Sequence, residues 1–325
     1  PWFTESLETD GLVYLGSVLY AYNGDMPADT TIAVRDGTTA IANGAFDGKS
    51  NLVAVTLPDT LTTIGNRAFA GTSLTTLTIP ARVESIGSEA FTDVETLTSV
   101  TFNEGLKTIG ANAFDGCSLL NTIALPNSLT SLGNNAFQYA GSDAAAADGT
   151  LTIGTGLTEI PQGAFSGMSK TGGALTIPAG ITKIGASAFG GTSSFTSIVI
   201  PEGVERIGEY AFDGSLKTVT LPKSLTYVDR SGFIFGNLEK VVYNGTEEEF
   251  EQIESYDDEI RFIQCPIEYA DGTIGGTDIS QNSGSSDGEK SGTVLFVTIT
   301  VIVILVLVSA SAFFIARRNK QAKQK

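Results

Sequence analysis

One phrase recurs along this chain at a nearly fixed period. IGNRAFAGTSLTTLTIP at 64–80 is followed by IGSEAFTDVETLTSVTF at 86–102 and IGANAFDGCSLLNTIALP at 109–126. Aligned on their phenylalanines, the copies fall at Phe46, Phe69, Phe91, Phe114, Phe137, Phe165, Phe189, Phe212 and Phe233, with spacings of 23, 22, 23, 23, 28, 24, 23 and 21. A fixed period in this range predicts a solenoid, in which each unit buries its apolar face only against its neighbours.

The aligned columns have physical content. Five residues before each Phe stands a branched aliphatic: Ile41, Ile64, Ile86, Ile109, Leu132, Ile160, Ile184, Ile207 and Val228. One residue before Phe stands Ala, with Gly232 in the last copy, so coils are expected to approach closely there. The Phe column predicts a stacked aromatic spine inside the coil. The residue after Ile is usually Gly (65, 87, 110, 133, 185 and 208), which suggests a required positive φ. Pro161 occupies the same column, and proline holds φ near −65°. The glycines are therefore expected to serve close approach, with no obligatory positive φ.

The second half of each unit reads as a strand. Leu74–Ile79 alternates apolar and polar and stops at Pro80, and the pattern recurs at Val53–Pro58, Leu120–Pro126, Phe195–Pro201 and Leu216–Pro222. Stacked copies predict one parallel sheet along the solenoid, which at about 4.8 Å per coil extends about 40 Å. The expected fold class is a solenoid with short strands in a parallel β-sheet and irregular or short helical returns. It has a β-rich N-terminal cap, a short helical C-terminal cap and one transmembrane helix.

Two exposed faces follow from the alignment. The outward strand column is Thr56, Thr78, Thr101, Ala124, Thr152, Thr176, Val199, Thr220 and Val242. It reads either as strand propensity with a wettable side chain or as a hydroxyl-lined ligand face. The column before the Ile ladder is Thr63, Ser85, Thr108, Ser131, Glu159, Lys183, Arg206 and Tyr227, beside Thr62, Glu84, Lys107, Thr130, Thr158, Thr182, Glu205 and Thr226. Charged and aromatic members concentrate toward the C-terminal coils. Lys183, Arg206, Tyr227, Glu159 and Glu205 are the candidate ligand contacts, against the plainer reading of a solvated surface.

The expected domain order is an N-terminal β cap at 1–37, nine repeats at 38–245, a C-terminal cap at 246–270, a flexible linker at 271–292, a transmembrane helix at 293–316 and a basic tail at 317–325. Residues 12–46 read as a hairpin with a Gly-Asp-Met-Pro turn. Thr246-Glu-Glu-Glu249 is a capping box that opens a short helix with Phe250 and Ile253 on one face, and Phe262 and Ile263 continue the apolar patch. Thr293–Ala316 runs 24 residues without a charge, enough to span a bilayer, and Arg317-Arg318 follow it. Positive flanks stay in the cytoplasm, which leaves the repeats outside a plasma membrane. Asn244-Gly-Thr246 is a glycosylation sequon.

Composition removes most chemistry. The chain holds 19 basic and 36 acidic side chains, a net of −17, and no histidine. Five of the bases lie after Ala316, leaving 14 against 36, or −22, for everything before. Such a chain repels nucleic acid. Without histidine, Ser-His-Asp and Cys-His centres are impossible. Cys117 and Cys265 are too few for a disulfide framework or a zinc site, and Cys117 within FDGCSLL reads as a buried structural thiol. The five extra residues between Phe137 and Phe165 predict a loop, and its Asp143 and Asp148 lack EF-hand spacing. No catalytic residue, metal site, small-molecule cofactor or enzyme activity is expected.

The phrase L-x-x-L-x-I-P-x-x-V-x-x-I-G-x-x-A-F at Leu74–Phe91 resembles the BspA-like leucine-rich repeats, over about residues 38–245. GLVYLGSVLYAYNGDMP and YNGTEEEFEQI resemble flanking segments of bacterial members. The resemblance implies a curved, right-handed leucine-rich-repeat solenoid on a cell surface, with an extracellular protein or glycan as partner in adhesion or host and matrix interaction. It carries over no binding residue. Alternatives are a structural envelope protein or the ectodomain of a sensor complex.

Overall fold

The structure, a computed structural model, describes residues 11–143, 149–170, 175–192, 195–212, 216–229, 231–233, 238–255 and 265–275. The expected span 293–316, the tail 317–325, the linker beyond residue 275, and Asp148, Phe262 and Ile263 lie outside the described residues. Among the described residues no helix is long and apolar enough to cross a membrane.

The chain winds as stacked parallel β coils. Its innermost column is the phenylalanine spine. Neighbouring rings from Phe46 to Phe233 stack with centroids 5.0–5.9 Å apart and planes within 16° of parallel. Phe46 through Phe189 are fully buried. Each stacked pair adds about 0.5–1.5 kcal/mol beyond its area burial. The alanine before each ring turns its carbonyl to the previous coil. Phe114 N donates to Ala136 O at 2.7 Å and Phe91 N to Ala113 O at 2.7 Å, and the same bond repeats from Phe46 to Phe212. A larger side chain at the Ala position would push the rings out of contact.

The strands are not one continuous sheet, which corrects the sequence expectation. On the threonine side they form a pair (Thr30–Ala33 with Leu52–Thr56), a second pair (Thr76–Thr78 with Ser99–Thr101), and an eight-stranded sheet from Ile123–Ala124 to Ile274–Gly275. The returns are also more regular than expected. At each x-Ile step two residues form a strand, and these stack in parallel register as a second sheet. The link between the two sheets is a turn that starts at the strand-ending proline. Leu61 N donates to Pro58 O at 3.0 Å and Val83 N to Pro80 O at 3.0 Å.

The second sheet is divided once. A seven-stranded part ends at Ser131–Leu132 and a five-stranded part begins at Glu159–Ile160. In the other coils the residue after Ile donates its N–H to the preceding ladder carbonyl, as Gly133 does to Ile109 O at 2.8 Å and Gly185 to Ile160 O at 2.7 Å. Pro161 has no N–H to give to Leu132. The five-residue-longer unit falls at the same place. The spine is widest there, with 5.9 Å between Phe137 and Phe165.

The column glycines act as expected. None of the six has a left-handed φ, and a Cβ on each would lie 2.2–2.7 Å from backbone of the previous coil. The left-handed positions lie elsewhere. The residue two before Phe has φ of 48–66° in all nine coils: Gly44, Arg67, Glu89, Asn112, Asn135, Gly163, Ser187, Tyr210 and Ser231. That geometry turns its N–H to the next coil, as in Glu89 N to Ala111 O at 2.8 Å.

At the N-terminal end Leu12–Leu15 and Val18–Tyr22 form an antiparallel hairpin whose tight turn is at Gly16-Ser17, so the Gly-Asp-Met-Pro segment is not its turn. Val18–Tyr22 then pairs in parallel with Ala40–Ile41. At the other end the Thr246 hydroxyl accepts from Glu249 N, and Glu249 reaches back to Thr246 N at 3.1 Å, over the helical turn Glu247–Phe250. Phe250 and Ile253 are buried. Cys117 and Cys265 are free, buried thiols, and burial pushes both upward, Cys117 well above the usual thiol range.

Candidate functional site

The second sheet brings four of the five candidate residues together. Glu159 pairs in register with Lys183, Lys183 with Arg206, Arg206 with Tyr227, and Tyr227 with Glu254. Each strand has two residues, and the second (Ile160, Ile184, Ile207, Val228) is buried. Period-two alternation then turns the first residue outward. Glu159, Lys183, Arg206 and Glu254 are exposed, and Tyr227 is half-buried. The result is a row, acid–base–base–aromatic–acid, with about 4.8 Å between neighbouring strands.

Glu205 stands beside this row on the preceding column. Its N–H donates to Thr182 O at 2.9 Å, and its carbonyl accepts from Thr226 N at 2.9 Å and from the Thr226 hydroxyl at 3.0 Å. The Thr182 hydroxyl likewise donates to Thr158 O at 3.2 Å. Those threonines tie coil to coil, and Glu205 is the charged member of the column among Thr158, Thr182 and Thr226 beside the row. Glu254, on the C-terminal strand of the row, was not singled out from the sequence. It lies outside the repeats, so no column alignment reaches it.

Among the described residues, most other exposed bases of the coils are charge-paired, Arg82 being an exception. Lys107, Lys217, Lys223 and Lys240 pair with Glu84 (3.0 Å), Glu239 (2.7 Å), Glu249 (2.7 Å) and Glu268 on adjoining segments. Arg67 bridges Asp47 at 3.0 Å and Glu89. Lys183 makes no ion pair with a described residue, although Glu159 is its register partner. Arg206 lays its guanidinium over the Tyr227 ring, 4.2 Å from the centroid. An exposed contact of this kind stabilises by about 0.5–1 kcal/mol and fixes the guanidinium plane. Lys183 and Arg206 are neighbours in register, so two cations face each other across strands, an arrangement that costs stability.

The threonine side is different in character. Thr56, Thr78, Thr101, Thr152 and Thr176 are exposed, and their hydroxyls meet no partner among the described residues. The row continues through Ala124 and Val199, which is 62% exposed. The column carries no charge. Among the described residues no group of His, Cys, Asp or Glu could hold a metal ion.

The repeat geometry has a direct counterpart in a family model. The BspA type leucine rich repeat region matches residues 20–142 and 149–258, in six copies. The chain belongs to the BspA type leucine-rich repeat family. The break between the two matched stretches falls in the long unit, beside the division of the second sheet. Among solved structures, this BspA type chain is similar to the pneumococcal vaccine antigen PcpA at 25% identity and a TM-score of 0.47, over 65% of this chain and 56% of that one. It is similar to a leucine rich cell surface protein of Faecalibacterium prausnitzii A2-165 at 26% identity and a TM-score of 0.39, over 71% and 63%. A leucine-rich repeat protein of Eubacterium ventriosum is similar at 19% identity and a TM-score of 0.43, over 67% and 90%. The alignments thus span less than two thirds of the first two chains. No curated protein matches the BspA type chain.

Proposed function

We propose that this chain is a membrane-anchored cell-surface binding protein, without enzymatic activity of its own, that uses its repeats to hold a protein or glycan ligand in adhesion or host and matrix contact. The observation that carries the reading is the exposed row Glu159, Lys183, Arg206, Tyr227, with its two bases free of carboxylate partners among the described residues. Family membership supports a surface binding scaffold. The uncharged segment 293–316 followed by Arg317-Arg318 supports an anchor with the repeats outside and the tail inside.

The test is a binding screen of a form ending at residue 275 against matrix proteins and glycans, repeated with Lys183→Glu and Arg206→Glu. A selective ligand lost on both reversals supports the reading. A ligand retained by both variants moves the site elsewhere, and the absence of any selective ligand favours a structural envelope role.

A further inference from the structure

The charge order of the row constrains what can lie on it. Its two bases sit between acids: Glu159 at one end, Glu254 at the other, and Glu205 alongside. The whole chain is also acidic, at −17. A uniform polyanion such as a sulfated polysaccharide would satisfy Lys183 and Arg206 but bring its flanking charges onto Glu159 and Glu254. A complementary ligand must present base, acid, acid, apolar and base in that order, which is a pattern proteins supply.

Spacing then selects the conformation. Five row members at about 4.8 Å occupy about 19 Å. One face of an α-helix repeats every 5.4 Å, so four turns cover about 22 Å, and residues three or four apart lie on one face. Alternate residues of an extended peptide repeat at about 6.7 Å and cover about 27 Å. Long lysine, arginine and glutamate side chains absorb the helical mismatch of about 3 Å. They do not absorb the extended mismatch of about 8 Å. The neighbouring threonine hydroxyls bond back to the preceding coil and leave the row itself to a ligand.

Resting on the binding reading above, we infer that the row Glu159–Lys183–Arg206–Tyr227–Glu254 receives an α-helical segment of a protein partner, laid along the solenoid axis, with two acidic residues on Lys183 and Arg206, an apolar residue on Tyr227 and basic residues at both ends. Arg206 is held in place for this by the Tyr227 ring.

The experiment uses the full chain in detergent micelles and two helical peptides. One carries Lys, Glu, Glu, Leu and Lys at i, i+4, i+7, i+11 and i+15, and the other has every charge inverted. The matched peptide is expected to bind about ten-fold tighter or better, measured by fluorescence anisotropy. In the Lys183→Glu/Arg206→Glu double variant the preference is expected to be lost, because each peptide then meets two opposite and two like charges along the row. Equal binding of the two peptides by the parent chain, no binding of the matched one, or competition by a sulfated polysaccharide for the row overturns the inference. If a ligand from the screen depends on Lys183 and Arg206 while the peptides do not discriminate, the helix is wrong and the site stands. If that ligand ignores both reversals, the site itself fails.

Discussion

A Cβ placed on Gly133 would sit 2.2 Å from the backbone nitrogen of Ala111, yet Gly133 itself does not have a left-handed φ. The glycine is there for room. Gly133→Ala is expected to destabilise the fold by about 1–3 kcal/mol through overpacking. Gly16→Ala, at a φ of 62° with nothing within 4 Å, is expected to cost about 1 kcal/mol through backbone strain alone. Denaturant midpoints of the two variants check the order, and equal losses would contradict it.

Pro161, which lacks the N–H that its neighbours donate, stands where the second sheet divides. Pro161→Gly supplies that donor opposite Leu132. The new amide is expected to be protected from hydrogen exchange to the same degree as those of Gly133 and Gly185, which bond at 2.8 and 2.7 Å. Exchange at an exposed-loop rate would mean that the longer unit, and not the proline, separates the two parts.

Tyr210 holds a φ of 52° and is 43% exposed, so little burial offsets the strain. Asn112 and Asn135 occupy the same column at 54° and 58°. Tyr210→Asn is expected to stabilise the protein by about 0.5–1 kcal/mol, because asparagine tolerates the left-handed region better than a bulky residue does. Thermal unfolding measures it, and a fall in midpoint would show that the tyrosine packs.

Glu104 receives the backbone N–H groups of Asn127 at 3.0 Å and Ser128 at 2.9 Å, and these bonds hold its carboxyl below the usual carboxylate range. A depressed folded pKa contributes stability above the unfolded pKa, and the contribution is lost as pH falls through the folded value. Glu104→Ala is therefore expected to lose stability at pH 7. The gap from the parent should narrow as pH falls below about 4. A gap that does not change with pH would assign the effect to packing.

Much of the architecture was legible because a repeat turns three-dimensional neighbours into aligned letters. Ile64 beneath Ile86, and Phe69 beneath Phe91, are contacts that the alignment predicts. Pro161 in a glycine column was enough to separate room from φ. The two-residue strands of the second sheet were not legible, since two residues carry no periodicity. The left-handed column was hidden because Arg67, Glu89 and Tyr210 share it with Gly44 and Gly163. Its two glycines and two asparagines were the available signal.

The candidate row divides the same way. That Glu159, Lys183, Arg206 and Tyr227 share a column is a property of the sequence alone, as are the period, the aromatic spine and the acidic charge. That Glu254 completes the row, that Lys183 meets no acid among the described residues and that Arg206 lies on Tyr227 were decided only by the tertiary structure. The physical reason is that a period fixes which backbone stands beside which. The direction a long side chain takes between two neighbours depends on every group around it, and sequence spacing does not encode that.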